Sequence, residues 1–173
     1  MPDATGLELL AQRVRENVAQ DAVVDTVHHR GQATLDVSRA RVREVLCYLH
    51  GSDEEPYEIL ASLHGCDYLP AEPRLGVHYQ LLSMARQERL GVRTRMSIDE
   101  ACVPTVTDLF PTADFQEREV YDFFGVEFEG HPDLRRILMP EDYEGHPQRR
   151  DFPIGGEPVL FTHNEHELPR WYE

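Results

Sequence analysis

Residues 32–37, Gln32-Ala33-Thr34-Leu35-Asp36-Val37, decide the fold class of this 173-residue chain. Their apolar and polar residues alternate, which is the period of a strand with one buried face. Residues 22–28 are rich in Val and Thr and predict a partner strand, and His29-Arg30-Gly31 predicts the turn between the two. Such a strand pair needs a covering layer over its apolar face.

Amphipathic helices are predicted on both sides of this strand pair. Residues 6–19 carry an apolar stripe at helical spacing, and Thr5 with Glu8 has the spacing of a capping box. Ser38 can begin a second helix, whose stripe ends at Leu49, and Gly51 can terminate it. Both helices can therefore supply the covering layer.

Three further strands are predicted at residues 57–67, 76–86 and 90–97, the last two as a hairpin. The order is then helix, two strands, helix, three strands. It predicts a two-layer α+β domain over residues 1–100, with a mixed sheet and both helices on one face.

Composition excludes several classes of protein. The formal net charge of −15 disfavours nonspecific binding to nucleic acid, because phosphates would be repelled. No apolar run approaches the ~18 residues of a membrane span, and the N-terminus resembles no secretory signal. The three scattered cysteines, Cys47, Cys66 and Cys102, cannot build a four-thiolate iron–sulfur or zinc site, and we expect them in the core of a cytoplasmic protein.

The character of the chain changes after Asp99. Residues 101–125 predict short helical segments, one of them between Pro104 and Pro111. Asp114 has capping-box spacing to Glu117, and Gly125 is placed to end the helix that follows.

Residues 126–173 hold half of the twelve prolines, so they predict an extended tail rather than a helix. This tail is too apolar to be a disordered segment, and it therefore needs a surface to lie on. The sequence pattern leaves open whether that surface belongs to its own domain or to a neighbouring protein.

A dense charge cluster occupies the predicted helix: Glu117, Arg118, Glu119 and Asp122. Arg118 can pair with Asp122 at helical spacing. Three interpretations remain open: a carboxylate pair for acid–base catalysis or a metal, a solvated face, or a network that docks the helix to a partner or to the tail. Arg118 would lower the pKa of nearby carboxylates, which argues against catalysis.

The tail repeats the tripeptide Gly-His-Pro at 130–132 and 145–147. His131 and His146 suit hydrogen bonds at an interface better than a metal site, which needs a third ligand. Arg135-Arg136 and Arg149-Arg150 stand out in an acidic chain, and Asp151 and the aromatic anchor Phe152 follow the second pair. Their guanidinium groups can pair with carboxylates or form a solvated rim.

The residues from Glu117 to Leu138 resemble the signature of the C subunit of bacterial NADH–quinone oxidoreductase, a 30 kDa-type subunit in the peripheral arm of respiratory complex I. The positions that carry the resemblance are Glu117-Arg118-Glu119, Asp122, Gly125, His131, Arg135 and Leu138. It continues through residues 138–147 and 149–153, and it is close over residues 111–161.

The resemblance implies an α+β domain whose long tail wraps the large D subunit, which forms the quinone pocket with the B subunit. It implies no cofactor in this chain; iron–sulfur clusters, FMN, NADH and quinone would belong to neighbouring subunits. It also implies the unfused form of the C subunit, on the cytoplasmic face of the cell membrane. The residues that it assigns to docking on the partner are Glu117, Arg118, Glu119, Asp122, His131, Arg135, Arg136, His146, Arg149, Arg150 and Asp151.

The sequence thus predicts a non-catalytic assembly component of a proton-translocating NADH:quinone oxidoreductase. One alternative is the same role in a ferredoxin-, coenzyme F420- or hydrogenase-linked relative of complex I. An alternative from another class is a stand-alone acid–base or metal-dependent enzyme that uses Glu117, Glu119, Asp122 and His131.

Overall fold

The computed structural model describes residues 2–52 and 56–153. In chain order its elements are α1 (Ala4–Asn17), β1 (Val23–His29), β2 (Gln32–Val37), α2 (Val42–Gly51), β3 (Ile59–Asp67), β4 (Leu75–Ser83), β5 (Glu88–Met96), β6 (Cys102–Pro104), α3 (Ala113–Phe124) and β7 (Glu127–Glu129). The predicted α+β class is confirmed, and so is the order helix, two strands, helix, three strands.

The first five strands form one mixed sheet in the order β1-β2-β5-β4-β3. Only β2 and β5 run parallel; the other neighbours are antiparallel. The parallel pair arises because α2, β3 and β4 intervene between β2 and β5 in the chain. Two left-handed residues, Arg30 and Gly31, close the hairpin between β1 and β2.

One apolar core joins the helices to one face of this sheet. Alternate residues of the strands enter it, such as Leu35 from β2, Tyr79 from β4 and Val92 from β5. The helices contribute their own stripes, which include Leu7 of α1 and Leu46 of α2. The alternation and the helical spacing read from the sequence therefore meet in a single core.

Helix α3 packs on edge strand β3. The Phe124 ring lies over Gly65, where a Cβ would collide with it. The Gln116 side chain accepts the backbone N–H of Leu63, and Thr112 approaches the carbonyl of Leu60 at 3.5 Å. These contacts cover a strand edge that would otherwise remain open to pairing.

Several local predictions were wrong. Asp3, not Thr5, caps α1, by accepting the amide of Gly6 at 2.7 Å. Ser38 makes no capping bond, and a short 3₁₀ turn over residues 39–41 precedes α2.

The chain between Pro104 and Pro111 makes turns rather than a helix. Cys47 is exposed, and Cys66 and Cys102 are only partly buried, so none of the three is a core residue.

A parallel pairing of β6 with β7 brings the chain after α3 back beside residues 102–104. Residues 126–153, which we call the strap, then continue over α3. None of the helices in the described part of the chain is long and apolar enough to cross a membrane.

Candidate functional site

The strap closes the C-terminal end of α3. The last four carbonyls of a helix have no partner inside it and need donors from elsewhere. Here each of them has one: Gly125 N reaches Tyr121 O (2.9 Å), Arg136 Nη1 and His146 Nδ1 reach Asp122 O (3.1 and 3.0 Å), Gln148 N reaches Phe123 O (3.2 Å), and Arg149 Nε reaches Phe124 O (2.7 Å). Two of these donors belong to guanidinium groups, whose positive charge suits the negative end of the helix dipole.

Asp122 holds the strap through its side chain as well. Its Oδ2 atom accepts the amides of Ile137, Leu138 and Met139 at 3.1, 2.8 and 2.9 Å. Its Oδ1 atom lies 2.7 Å from Nη1 of Arg136. Burial alone would raise the pKa of Asp122, but these donors outweigh burial and hold the pKa below its usual value. The buried anion therefore fixes the backbone of residues 137–139.

Gly125 is required where helix and strap meet. Its φ of +70° is left-handed, which ends α3 as predicted. A Cβ at this position would collide with the His146 ring and with Arg149. The strap can therefore lie this close to the helix only because residue 125 has no side chain.

Glu117 is fully buried, at 0% exposed. It accepts the Thr105 hydroxyl at 2.5 Å and the Val106 amide at 2.8 Å, so it ties α3 to the turn after β6. It does not cap its own helix, which corrects the predicted capping box with Asp114. Burial raises the pKa of Glu117, and those two hydrogen bonds oppose the rise without cancelling it.

The two Gly-His-Pro tripeptides each place a histidine ring against a backbone carbonyl of α3, at opposite ends of the helix and through different ring nitrogens. The His131 ring accepts the Asp133 amide at Nδ1, so its Nε2 carries a proton and donates to the Asp114 carbonyl at 3.2 Å. His146 donates from Nδ1 to the Asp122 carbonyl. Burial lowers the pKa of His146, which favours the neutral ring.

Arg118 does not pair with Asp122, contrary to the prediction from helical spacing. Its guanidinium donates instead to the carbonyls of Arg135 and Arg136, at 3.2 and 3.3 Å. The Arg135 side chain forms an exposed ion pair with Asp133, and Glu119 is exposed. The Asp122 carboxylate, for its part, is occupied by donors of the strap.

A second group of contacts fixes the end of the strap, and its central residues, Asp67 and Arg74, were not among the predicted site residues. Their buried ion pair is 2.7 Å long, and the hydrogen bonds from Arg74 hold the pKa of Asp67 far below its usual range. Asp67 accepts the Arg150 amide at 2.8 Å, and Arg74 contacts Asp151 at 2.5 Å. The Arg150 side chain donates to the Leu69 carbonyl.

The aromatic anchor Phe152 stacks on Tyr143, with ring centroids 6.2 Å apart, and lies against Gly145. The predicted docking residues thus divide into three groups. Glu119, Arg135, Arg150 and Asp151 are exposed, whereas the side chains of Glu117, Asp122 and His131 are enclosed by the chain itself. The remaining ones are partly buried: Arg118, Arg136, His146, Arg149 and Phe152. The predicted tail beyond residue 153 lies outside the described residues.

This arrangement can hold a chain segment in place, but it offers little for catalysis. Asp122 is bonded to four donors and Glu117 is shielded from any substrate. Among residues 2–52 and 56–153, no three His, Cys, Asp or Glu side chains are grouped so that they could hold a metal ion.

Known proteins share this sequence pattern and fold. Residues 35–158 match the family described as the respiratory-chain NADH dehydrogenase 30 Kd subunit. The C subunit of the NADH-quinone oxidoreductase of Roseiflexus castenholzii is 43% identical over 148 residues, which cover 86% of this chain and 85% of that protein. The corresponding protein of Salinispora arenicola is 45% identical over 142 residues, but the chain covers only 58% of its length.

Two solved structures have the same fold. A trypsin-resistant fragment of Nqo5 has a TM-score of 0.61 and 33% identity, with 72% of this chain and 99% of that chain covered. A chain of the membrane-bound sulfane sulfur reductase, an archaeal respiratory membrane complex, has a TM-score of 0.68 and 25% identity, with 96% and 94% covered. The resemblance seen in the residues from Glu117 to Leu138 is thereby confirmed, and the chain belongs to the family of the respiratory-chain NADH dehydrogenase 30 Kd subunit.

Proposed function

We propose that this protein is a non-catalytic assembly component of a membrane-bound, proton-translocating NADH:quinone oxidoreductase. Its role is to stabilise the quinone-reducing module by wrapping the D subunit with its tail, beside the B subunit. The relatives named as the C subunit of NADH-quinone oxidoreductase support the assignment to this complex. The protein would lie on the cytoplasmic face of the cell membrane as a peripheral component.

The observation that carries this proposal is the way the strap is held. Two buried carboxylates, Asp122 and Asp67, bind four backbone amides of the strap between them. The strap is therefore ordered before any partner arrives, so that binding does not include the loss of conformational entropy on ordering it. An ordered strap that ends beside Asp67 gives the following residues a fixed point of departure toward a neighbour.

The predicted docking residues take two roles in this proposal. Glu119, Arg135, Arg150 and Asp151 contact the partner, whereas Asp122, Arg136, His146 and Arg149 hold the strap in position behind them. Arg150 and Asp151 do both, because they also fix the end of the strap. The chain binds no cofactor of its own; flavin, iron–sulfur clusters, NADH and quinone are handled by its neighbours. Electrons would pass through those neighbours.

The test is co-purification from gently solubilised membranes with an N-terminally tagged copy. We expect large iron–sulfur subunits and NADH oxidation to come with the full chain, and a chain truncated after Gly125 to lose them. Arg150→Ala should lower the yield of the assembled complex while the specific activity of whatever assembles stays normal. A chain that purifies alone, or that oxidises NADH with quinone unaided, would contradict the proposal.

A second candidate is the same structural role in a relative of complex I with another electron donor. The likeness to a chain of the sulfane sulfur reductase complex favours it, because that likeness extends over nearly all of both chains. The co-purified input module separates the two candidates: a flavin-containing NADH-oxidising module supports the first, and a ferredoxin-, coenzyme F420- or hydrogenase-linked module supports the second.

A further inference from the structure

Within residues 2–52 and 56–153, three of the four charges between residues 117 and 122 are satisfied, and that of Glu119 is not. We propose that Phe115, Glu119 and Leu138 form a docking patch for a partner protein that presents an apolar pocket edged by arginine or lysine. This inference rests on the proposed function and adds to it a surface separate from the residues beyond 153.

Helix geometry and one backbone hydrogen bond place these three residues near one another. Phe115 and Glu119 are four residues apart on α3, so they share a helix face. Asp122 lies on the same face one turn further on, and its carboxylate holds the Leu138 amide at 2.8 Å. Leu138 is therefore placed beside the C-terminal half of this face.

Two of these side chains are large, apolar and mostly exposed, and the Arg118 guanidinium lies 6.0 Å from the centroid of the Phe115 ring. Phe115 is 62% exposed and Leu138 is 60% exposed. A single exposed apolar side chain is ordinary on a protein surface, but one on α3 and one on the strap beside it, with a charged residue near both, resemble the core and rim of an interface. Aromatic anchors of this kind supply much of the binding energy of protein complexes.

The unpaired charge of Glu119 indicates that the partner carries a positive charge here. In the part of the chain that the structure describes, its carboxylate has no hydrogen bond or ion pair. The nearest arginines in sequence are committed elsewhere, Arg118 to two strap carbonyls and Arg135 to Asp133. The carboxylate is therefore free to receive a cation from another protein.

A second copy of this chain would be a poor occupant. The chain has 32 acidic and 17 basic residues, so two copies would repel each other. A two-fold contact would also place one Glu119 near the other. A partner with a basic rim gains from the same charge distribution.

The patch is held rigid before binding. Leu138 cannot swing away while its own amide and those of its neighbours are bound to Asp122. Phe115 and Glu119 belong to a helix that is capped at its C-terminal end by the strap. This preorganisation lowers the entropic cost of docking.

The test uses the full chain in its complex, with a photo-crosslinking amino acid at position 115 and, as a control, at position 84. Met84 is also 60% exposed but lies in the turn between β4 and β5. We expect position 115 to cross-link to a peptide of another protein of the complex that contains arginine or lysine, and position 84 not to reach that peptide. A cross-link to a second copy of this chain, or none from position 115, would overturn the inference.

Charge and apolar variants test the same patch by yield. Phe115→Asp and Leu138→Asp should each lower co-purification by about tenfold or more, whereas Met84→Asp should leave it unchanged. Glu119→Arg should also weaken co-purification, and Glu119→Asp, which keeps the negative charge, should weaken it less. If the unaltered chain recovers no partner, the proposed function fails; if it recovers the complex and the Asp variants do so equally, only the patch is wrong.

Discussion

The sheet domain and the strap are held by different forces. Residues 4–96 bury whole side chains in one apolar core, to which each of the five main strands contributes. Between residues 130 and 153, in contrast, no residue has its whole surface buried. Leu134 packs against the core, but that segment is held mainly by hydrogen bonds and ion pairs to α3, Asp67 and Arg74. A segment with little secondary structure can therefore be ordered by a few buried carboxylates.

The largest effect should come from the sheet domain. Leu46→Ala removes a fully buried side chain of α2 and should cost about 2–5 kcal/mol of unfolding free energy. Chemical denaturation should show the whole chain losing stability, because the strap has no core of its own. A variant that lost only the strap would break the comparison.

Asp122→Ala should come next and should act locally. Three backbone amides and Arg136 lose their acceptor, at a cost of roughly 3 kcal/mol. Limited proteolysis should then cut within residues 130–153 while the circular dichroism of the sheet domain persists. Glu119→Ala, an exposed change on the same helix, is the control and should stay within about 0.5 kcal/mol of the unaltered chain. Equal effects of the two substitutions would contradict the account.

Gly125→Ala tests the contact at the junction of helix and strap. The left-handed φ alone costs about 1–2 kcal/mol, and the contact with His146 and Arg149 adds to it. Gly31→Ala is the matched control, since Gly31 has φ +75° but nothing within 4 Å of a Cβ. Thermal unfolding should therefore show the larger shift for position 125. Identical shifts would mean that the strap does not press on this glycine.

The smallest effect on stability at neutral pH is expected for Glu117→Gln, because the two buried carboxylates of α3 have pKa values shifted in opposite directions. The pKa of Asp122 is lowered by folding, so its contribution is present above an unfolded pKa of about 4 and is lost as pH falls below it. The pKa of Glu117 is raised, so its ionisation costs stability as pH rises. Glu117→Gln should therefore leave stability at pH 7 unchanged or higher by less than about 1 kcal/mol.

The pH profiles provide the check on this pair. Strap protection should fall in acid in the unaltered chain. Glu117→Gln should keep that acid loss while flattening the change in stability at pH values above the unfolded pKa of a glutamate, about 4.3. If Glu117→Gln abolished the acid loss, that loss would come from Glu117 and not from Asp122, contrary to this account.

Periodicity predicted the sheet domain well because its core is built from strands and helices whose buried residues recur at regular spacing. The alternation at 32–37 gave the bounds of β2, and Gly125 gave the end of α3. The prediction that Cys47 lies in the core was wrong because small apolar residues occur on both the buried and the exposed faces of helices. The burial of Glu117 did have a signal: Ala113, Glu117, Val120 and Phe124 follow the helical spacing of one buried stripe.

The strap could not be predicted in the same way, because its contacts join residues far apart in sequence. Asp122 binds amides 15 to 17 residues away, and Asp67 binds one 83 residues away. No repeat in the sequence encodes such pairs. The charges from Glu117 to Asp122 therefore indicated a network, but not which of them would turn inward.

Amide hydrogen exchange in the isolated full chain tests the central claim most directly, through the amides of Ile137, Leu138 and Met139. If Asp122 holds the strap without help from a partner, these amides should exchange slowly in the free protein and fast in Asp122→Ala, while the amides of β4 and β5 stay protected in both. Rapid exchange of residues 137–139 in the unaltered free chain would contradict the account, since it would mean that the strap is ordered only by its partner.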